Sequence, residues 1–277
     1  MLRDKLKDKK IITLEVLLPV QVYYSNLIKE LEPFKDYVDA LNIPSNPLGK
    51  LRPDSVCFAH ILQEELEIET IPHFVARHFT LLSFESQLLG AKALGIENIL
   101  CVTGDSPFEG RSMFELNSMK LLEVAKNLSQ GITSARRSIT PIDFCLCTSF
   151  NPNVPNIQGE FIKIREKSRC GAEVFFTQPV FQPEKFIKIL SNFRSQYKEK
   201  KVIAGISFLY TKKRAFSLMK FLGIPYEYIA NIEVKNETEM LLDMVRQIKD
   251  FIDGFYIISI GKYVNAIELI KKIRKMI

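Results

Sequence analysis

The chain has 277 residues, of which 47% are hydrophobic and 25% are charged, and its formal net charge is +6. This is ordinary globular composition, and about three quarters of the surface of such a chain can be buried, enough for one large core. The sequence has no apolar run long enough for a transmembrane helix, and the charged segment Met1–Lys10 lacks the apolar centre of a secretory signal. We therefore expect a cytoplasmic protein that binds no membrane.

Glycine and cysteine usage excludes several classes of site. The 12 glycines include no Gly-x-Gly pair, and no Gly-Lys-Ser/Thr sequence is present, so the chain lacks both the Rossmann fingerprint and the P-loop. None of the 5 cysteines forms Cys-x-x-Cys, and the 3 histidines show no metal-ligand spacing. Basic residues do not alternate with aromatic ones. We therefore expect no metal site and no nucleic-acid partner.

Eight short apolar runs alternate with longer amphipathic stretches along the chain. The runs predict strands over Ile11–Leu18, Tyr37–Ile43, Ile68–Ala76, Ile99–Thr103, Ile142–Thr148, Glu173–Phe176, Lys201–Phe208 and Gly254–Ile258. The stretches predict helices over Gln21–Leu31, Asp54–Glu65, Leu81–Leu94, Phe114–Leu128, Glu160–Ser168, Pro183–Phe193, Lys212–Phe221, Glu237–Ile252 and Asn265–Ile277.

Eight strands that are each followed by helix predict an α/β protein with a single (β/α)8 TIM barrel over residues 1–277. Near-continuous apolar strands are typical of a parallel sheet that is covered on both faces. The alternative is an open doubly wound sheet, which usually has fewer strands and a glycine-rich first turn. The absence of that turn favours the barrel.

A carboxylate at the end of the first strand is the most informative single residue. Glu15 lies in an apolar run, where a carboxylate must be paired, protonated or functional. Burial would raise its pKa and make it a candidate general acid. The alternative is a structural glutamate that is paired with a nearby Lys or Arg.

Further polar residues follow other strands, and a barrel would bring them to one mouth. Asp105 follows a glycine and is a candidate catalytic carboxylate, or otherwise a turn or helix-capping residue. His73 and Gln178 are candidate binding residues. Otherwise, His73 is a hydrogen-bonded histidine of the core, and Gln178 forms hydrogen bonds with backbone groups. Asn42, Thr103 and Asn151 also stand at strand ends.

Several motifs carry a resemblance to a known family. They are Thr13, Glu15 and Pro19 in the first strand region, Asn46-Pro-Leu-Gly-Lys-Leu-Arg52, Ile71-Pro-His-Phe74, Ser86–Ala91, Leu94–Leu100, Val102-Thr-Gly-Asp-Ser-Pro107, and Gly171-Ala172 followed by Thr177-Gln178. In this order the chain resembles the 5,10-methylenetetrahydrofolate reductases over nearly its whole length. Members of that family are FAD-containing barrels that reduce a folate-bound methylene group to methyl in one-carbon and methionine metabolism.

The resemblance implies roles for the matched positions. Glu15 corresponds to the general acid that opens the methylene bridge, and Asp105 to the aspartate near flavin and pterin, which stabilises the cation by charge. Gln178 corresponds to a folate contact, so the implied substrate site comprises Glu15, Asp105 and Gln178. The implied FAD site comprises Asn42, His73, Thr103, Gly104, Asp105, Asn151, Glu160 and Lys167.

The resemblance also implies methylenetetrahydrofolate as substrate and a ping-pong cycle in which a reductant first reduces the FAD. The donor stays open between NADH, NADPH and a protein such as a ferredoxin. The oligomeric state is open as well, between a homo-oligomer and a subunit of a complex. The stacking residue for the pterin is unassigned, although Ile224–Ala230 contains Tyr226 and Tyr228.

Three segments depart from the family pattern. His78-Phe79-Thr80 replaces the usual Asp-Arg-Asn, Phe108–Arg111 is short, and Ile224–Ala230 matches poorly. The departures at His78–Thr80 and Ile224–Ala230 motivate one alternative, a non-catalytic or auxiliary barrel that binds folate or a partner within a larger complex. A second alternative is another flavin barrel, for example one that oxidises an amino acid.

Overall fold

The computed structural model describes residues 1–105 and 110–277 and shows a closed barrel of eight parallel strands in sequence order. The last strand pairs with the first, which completes the closure. The predicted (β/α)8 TIM barrel is thus confirmed. The strands are β1 Ile11–Glu15, β2 Ala40–Ile43, β3 Glu69–Val75, β4 Asn98–Val102, β5 Cys145–Phe150, β6 Val174–Pro179, β7 Lys201–Ser207 and β8 Gly254–Ile258.

Eleven helices occur among the described residues. They are α1 Leu2–Asp8, α2 Ser25–Leu31, α3 Ser55–Leu66, α4 Leu81–Ala93, α5 Ser118–Ser129, α6 Ile157–Arg169, α7 Pro183–Gln196, α8 Lys212–Leu222, α9 Tyr226–Asn231, α10 Glu237–Ile248 and α11 Tyr263–Arg274. The sequence did not predict α1 and α9, because helices of two turns or fewer are too short for a clear apolar period. No helix in the described ranges is long and apolar enough to cross a bilayer.

Several predicted element ends are wrong by about three residues, and β2 shows why. Its strand was predicted from Tyr37 but begins at Ala40, because the Val38 N–H bonds to the Phe34 carbonyl in a turn. Similarly, α6 begins three residues earlier than predicted, since the Asn156 side chain caps it through the Gly159 N–H. These element ends are therefore determined by local hydrogen bonds, which the spacing of apolar residues does not reveal.

The interior of the barrel is layered from apolar to polar. Toward the N-terminal ends of the strands, Ile71, Leu100 and Ile203 pack with Leu2 and Leu6 of α1, which covers this end of the barrel. We call this covered end the closed end, and the opposite end, formed by the C-terminal ends of the strands, the open end. The innermost positions near the open end are polar, and they include Glu15, Asn42, His73, Ser149 and Gln178. In (β/α)8 barrel enzymes, the active site lies at this open end.

Candidate functional site

Two neighbouring cavities open among the C-terminal ends of the strands. The Glu15 cavity has a volume of about 430 Å³, and its wall includes Glu15, His73 and Gln178. The Lys167 cavity has a volume of about 560 Å³, and its wall includes Lys167, Glu160 and Gln178. Both volumes are typical of small-molecule sites. The two cavities share the wall residues Val102, Gly104, Asp105, Gln178 and Phe221.

Glu15, the last residue of β1, is half-buried in the cavity wall and has no cationic partner among the described residues. Its Oε2 accepts a hydrogen bond from the hydroxyl of Tyr256, and it forms no ion pair within the described part of the chain. Burial raises the pKa of Glu15, and the hydrogen bond from Tyr256 offsets part of that effect. The alternative of a glutamate paired with Lys or Arg is therefore not what the structure shows. The carboxyl group is suited to act as a proton donor.

Tyr256 is a site residue that the sequence analysis missed. It lies within the apolar run of β8 and is 7% exposed, and its ring packs edge-on against Phe176 with 5.5 Å between centroids. Its backbone pairs with Thr13 of β1, which brings its hydroxyl toward Glu15. A single hydroxyl in an otherwise apolar strand was the signal that could have identified it.

The buried Asn42 and the half-buried His73 form a polar pair at the wall of the Glu15 cavity. Their Nδ2 and Nε2 atoms lie 3.3 Å apart. Burial lowers the pKa of His73 to about 3, so the ring is neutral, and Nε2 accepts from the amide while Nδ1 carries the proton. The Oδ1 atom of Asn42 is buried and has no hydrogen-bond partner in the part of the chain that is described. That oxygen therefore keeps an unused acceptor position beside His73.

The segment after β4 places Thr103, Gly104 and Asp105 at the boundary between the cavities. Gly104 has a φ of +84°, and a Cβ there would lie 2.2 Å from Cγ1 of Val75, so only glycine fits. The Thr103 hydroxyl accepts the Ser118 N–H at 3.1 Å, whereas the Asp105 side chain is exposed and borders both cavities. The motif residues Ser106 and Pro107 and most of Phe108–Arg111 lie outside the described residues.

Two side chains of opposite charge, Lys167 and Glu160, lie in the wall of the Lys167 cavity. Lys167 of α6 is 6% exposed, and its Nζ donates to the Ser149 carbonyl at 2.6 Å. Burial lowers the pKa of Lys167 to about 8, although the negative charge of Glu160 partly opposes this effect. Glu160 accepts the Asn151 N–H at 3.0 Å and pairs with Lys163 at 3.3 Å. The cavity therefore has a buried cation in its wall, while Glu160 also stabilises the end of β5.

An aromatic side chain that the sequence analysis did not identify separates the two cavities. Phe221 of α8 is 51% exposed and borders both. Tyr228 instead packs edge-on against Phe181, 5.1 Å between centroids, and Tyr226 lies near Phe216, so neither tyrosine lines these cavities. Phe221 is the ring placed to stack on a planar ligand.

Within residues 1–105 and 110–277, no group of three or more His, Cys, Asp and Glu side chains is arranged to hold a metal ion. All five cysteines are free thiols.

Comparisons with known proteins agree on a common family. Residues 1–244 match the family model described as methylenetetrahydrofolate reductase. Methylenetetrahydrofolate reductase 2 from Saccharomyces cerevisiae is 22% identical over 237 residues, which cover 82% of this chain. The match spans only 39% of the yeast protein.

Two solved structures illustrate the similarity of fold. A protein from Clostridium thermocellum that binds two copies of 5-methyl-5,6,7,8-tetrahydrofolic acid superposes with a TM-score of 0.74 at 17% identity, covering 100% of this chain and 99% of that one. The structure of 2,3-dimethylmalate lyase, a member of the PEP mutase/isocitrate lyase superfamily, gives a TM-score of 0.60 at 10% identity, with coverage of 98% and 82%. At these identities the likeness concerns the fold alone.

Proposed function

The chain belongs to the methylenetetrahydrofolate reductase family, and from that premise we propose that it reduces 5,10-methylenetetrahydrofolate to 5-methyltetrahydrofolate with electrons from FAD. One observation carries the proposal above all. Within the described part of the chain the half-buried Glu15 carboxyl group pairs with no cation, desolvation raises its pKa, and it faces a cavity at the open end of the barrel. This is the environment that a general acid requires near neutral pH.

The Glu15 cavity is the proposed site for the pterin. Glu15 donates its proton to a nitrogen of the methylene bridge, and the carbon–nitrogen bond of that bridge breaks to leave a cation. The exposed carboxylate of Asp105 at the cavity boundary stabilises this cation by charge. Gln178 contacts the pterin by hydrogen bonds, and the ring of Phe221 stacks on it.

The residues between the two cavities fit a flavin nucleotide. Gly104, which packs without a side chain against Val75, lies in the wall shared by the two cavities, and the unpartnered Oδ1 of Asn42 lies beside His73 of the Glu15 cavity. Lys167 and Lys163 line the Lys167 cavity, where their positive charges would attract the phosphates of FAD. When bound there, FAD supplies the hydride for the reduction, and the chain supplies orientation and charge.

The cations at the rim of the Glu15 cavity orient the substrate. Arg52 and Arg214 line this cavity, and the first turn of α8 reads Lys212-Lys213-Arg214 with no acidic residue. Cations are unfavourable at the positive end of a helix. A bound anion would relieve this repulsion, so the glutamate carboxylates of the folate are proposed to lie at the rim with the pterin inside.

The proposal is tested by anaerobic spectroscopy on the purified chain. After incubation with FAD and removal of the unbound FAD by gel filtration, the protein should retain the visible flavin band, and NADH, NADPH and a ferredoxin are then compared as reductants. Addition of methylenetetrahydrofolate should restore the oxidised spectrum and yield methyltetrahydrofolate. A protein that is colourless once unbound FAD has been removed, or a bound reduced flavin that methylenetetrahydrofolate does not reoxidise, would contradict the proposal.

A second candidate is a flavin-free folate-binding barrel, and the paired cavities favour it. Two adjoining cavities of similar size are present, and the Clostridium thermocellum protein of nearly equal length binds two folates. Calorimetric titration with methyltetrahydrofolate distinguishes the candidates. The flavoenzyme should bind one folate per chain once FAD is present, whereas the alternative should bind two and exclude FAD.

A further inference from the structure

The pair formed by Tyr256 and Glu15 has a feature that the proposed reaction does not explain by itself. The Tyr256 ring is enclosed in the barrel core and stacks edge-on against Phe176. Its hydroxyl donates to Oε2 of Glu15. Burial, together with the adjacent carboxylate, raises the pKa of Tyr256 well above its ordinary value. The phenol therefore keeps its proton and remains a donor over the working pH range.

A permanent donor on one oxygen determines where the carboxyl proton can be. Oε2 of Glu15 already accepts the phenolic hydrogen, so a proton on that same oxygen would oppose the Tyr256 hydrogen. The proton of neutral Glu15 is then favoured on Oε1. Since Glu15 lines the cavity, Oε1 is the oxygen left to meet a ligand.

We propose that Tyr256 is a positioning residue that holds the Glu15 carboxyl group by Oε2 and thereby presents its acidic proton to the substrate from Oε1. The inference rests on the proposed function for its kinetic consequence. Its structural content, the coupling of the two side chains, can be measured in the chain without FAD or folate.

Other titratable groups facing Glu15 do not replace this contact. Six further titratable residues line the same cavity wall. They are His73 on β3, His78, Asp105, Arg214 on α8, and the two residues Lys50 and Arg52 that follow β2. In the described ranges, none of them is within ion-pair distance of Glu15. Tyr263 also lies close enough for its pKa to respond to Glu15, but its hydroxyl accepts the Leu17 N–H instead. Tyr263 is therefore a matched control.

The first experiment measures the protonation of Glu15 by infrared difference spectroscopy of the ligand-free chain across pH. The carboxyl band of Glu15 is identified as the band lost in Glu15→Gln. Tyr256→Phe removes the phenolic donor, so nothing from Tyr256 then opposes the effect of burial on the pKa of Glu15. The midpoint of the Glu15 titration should therefore move to higher pH, and the carboxyl band should shift in frequency. Tyr263→Phe should leave both unchanged. An unchanged Glu15 midpoint in Tyr256→Phe would overturn the proposal.

The second experiment uses kinetics to separate positioning from mere packing. In Tyr256→Phe, reoxidation of reduced flavin by methylenetetrahydrofolate should fall about 10- to 100-fold, as expected when a hydrogen bond to an ionisable group is lost. The pH at which the rate declines should rise with the Glu15 midpoint. A slower enzyme with the wild-type pH profile would assign Tyr256 a packing role and overturn the proposal.

A third measurement needs no substitution at Tyr256. With tyrosine labelled at the carbon bearing the hydroxyl, the Tyr256 resonance should titrate with the Glu15 midpoint in the wild-type chain and lose that titration in Glu15→Gln. A Tyr256 resonance that ignores Glu15 would overturn the proposal. If flavin binding fails while this coupling is found, the proposed function is wrong and the assignment of Tyr256 stands.

Discussion

The two ends of the barrel each bury a carboxyl group, but the two groups have opposite environments. At the closed end, Asp39 accepts hydrogen bonds from the Ile12 N–H at 2.8 Å and from Arg274 at 2.6 Å, and it pairs with Lys9 at 2.6 Å. At the open end, Glu15 accepts from the neutral hydroxyl of Tyr256. Both groups are desolvated, so burial alone would raise both pKa values.

The partners decide the direction in which the pKa of each group is shifted. Burial opposes ionisation of Asp39, but hydrogen bonds from Arg274, Lys9 and Ile12 outweigh it, so its pKa is lowered. Burial prevails at Glu15, so its pKa is raised. Ionised Asp39 therefore joins elements of the closed end, whereas Glu15 holds its proton to higher pH than an exposed glutamate would. The difference shows that a buried carboxyl group is structural or chemical according to its partners.

The rest of the closed end follows the pattern of Asp39. Arg3 of α1 pairs with Asp143 and Glu173 at 2.9 Å each, and Lys5 pairs with Glu69 at 2.9 Å. These ion pairs attach α1 across the N-terminal ends of the strands. The open end instead exposes the Phe221 ring, and the rim residues Arg52 and Arg214 are partly exposed. Substitutions should therefore affect stability at one end and ligand chemistry at the other.

The largest expected effect is at Glu15. Glu15→Gln keeps the shape and a hydrogen-bond acceptor for Tyr256 but removes the acidic proton. Reoxidation of reduced flavin by methylenetetrahydrofolate should slow about 10²- to 10⁴-fold, the usual contribution of general acid catalysis, and this is measured by stopped-flow absorbance. Thermal unfolding should be nearly unchanged. Wild-type turnover in Glu15→Gln would show that Glu15 is not the proton donor of the reaction.

The matching substitution at the closed end should affect stability instead. Asp39→Asn leaves the partly buried Arg274 without its countercharge, so the free energy of unfolding should fall by about 2–3 kcal/mol. Because the pKa of Asp39 is lowered on folding, this contribution is present above the unfolded-state pKa and disappears as pH falls through the folded-state pKa. Urea unfolding at neutral and acid pH checks both points. A stability difference that persists undiminished below the folded-state pKa would contradict the assignment of charge.

A smaller effect is expected at the aromatic boundary of the open end. Phe221→Ala removes a half-exposed ring, so folate binding should weaken about 10-fold through lost stacking and contact area. Stability should change by less than about 0.5 kcal/mol. Phe216→Ala is the control, since Phe216 is similarly exposed on α8 but borders neither cavity. Equal losses of affinity in both variants would show that Phe221 does not contact the folate.

The smallest effect is expected at the rim. Arg214→Gln should weaken folate binding about 3-fold at low salt, because a partly exposed charge contributes little and is screened. The difference should shrink as the salt concentration rises. Lys213→Gln removes a charge from the same helical turn, but Lys213 is exposed and lines neither cavity, so it is the control. Calorimetry at two salt concentrations distinguishes a folate contact from a general effect of charge.

Much of the fold and part of the candidate site could be predicted from local patterns. Apolar runs alternating with amphipathic stretches are a property of neighbouring residues, and eight repeats led to the barrel. The barrel in turn grouped Glu15, His73 and Gln178, because the ends of parallel strands meet at one mouth. The short helix α1 could not be predicted in this way, since its packing against the strands stabilises it and its own period is too brief.

The sequence by itself determined that two carboxylates, Glu15 and Asp39, stand in apolar runs and must be accommodated by the fold. Nothing in either run shows in which direction the pKa of its carboxyl group is shifted. The tertiary structure decided it, by placing Arg274 beside Asp39 and Tyr256 beside Glu15, residues more than two hundred positions away. The physical reason is that a pKa depends on desolvation and on charges and donors in space. Their positions exist only once β8 and α11 have closed the barrel against β1 and β2.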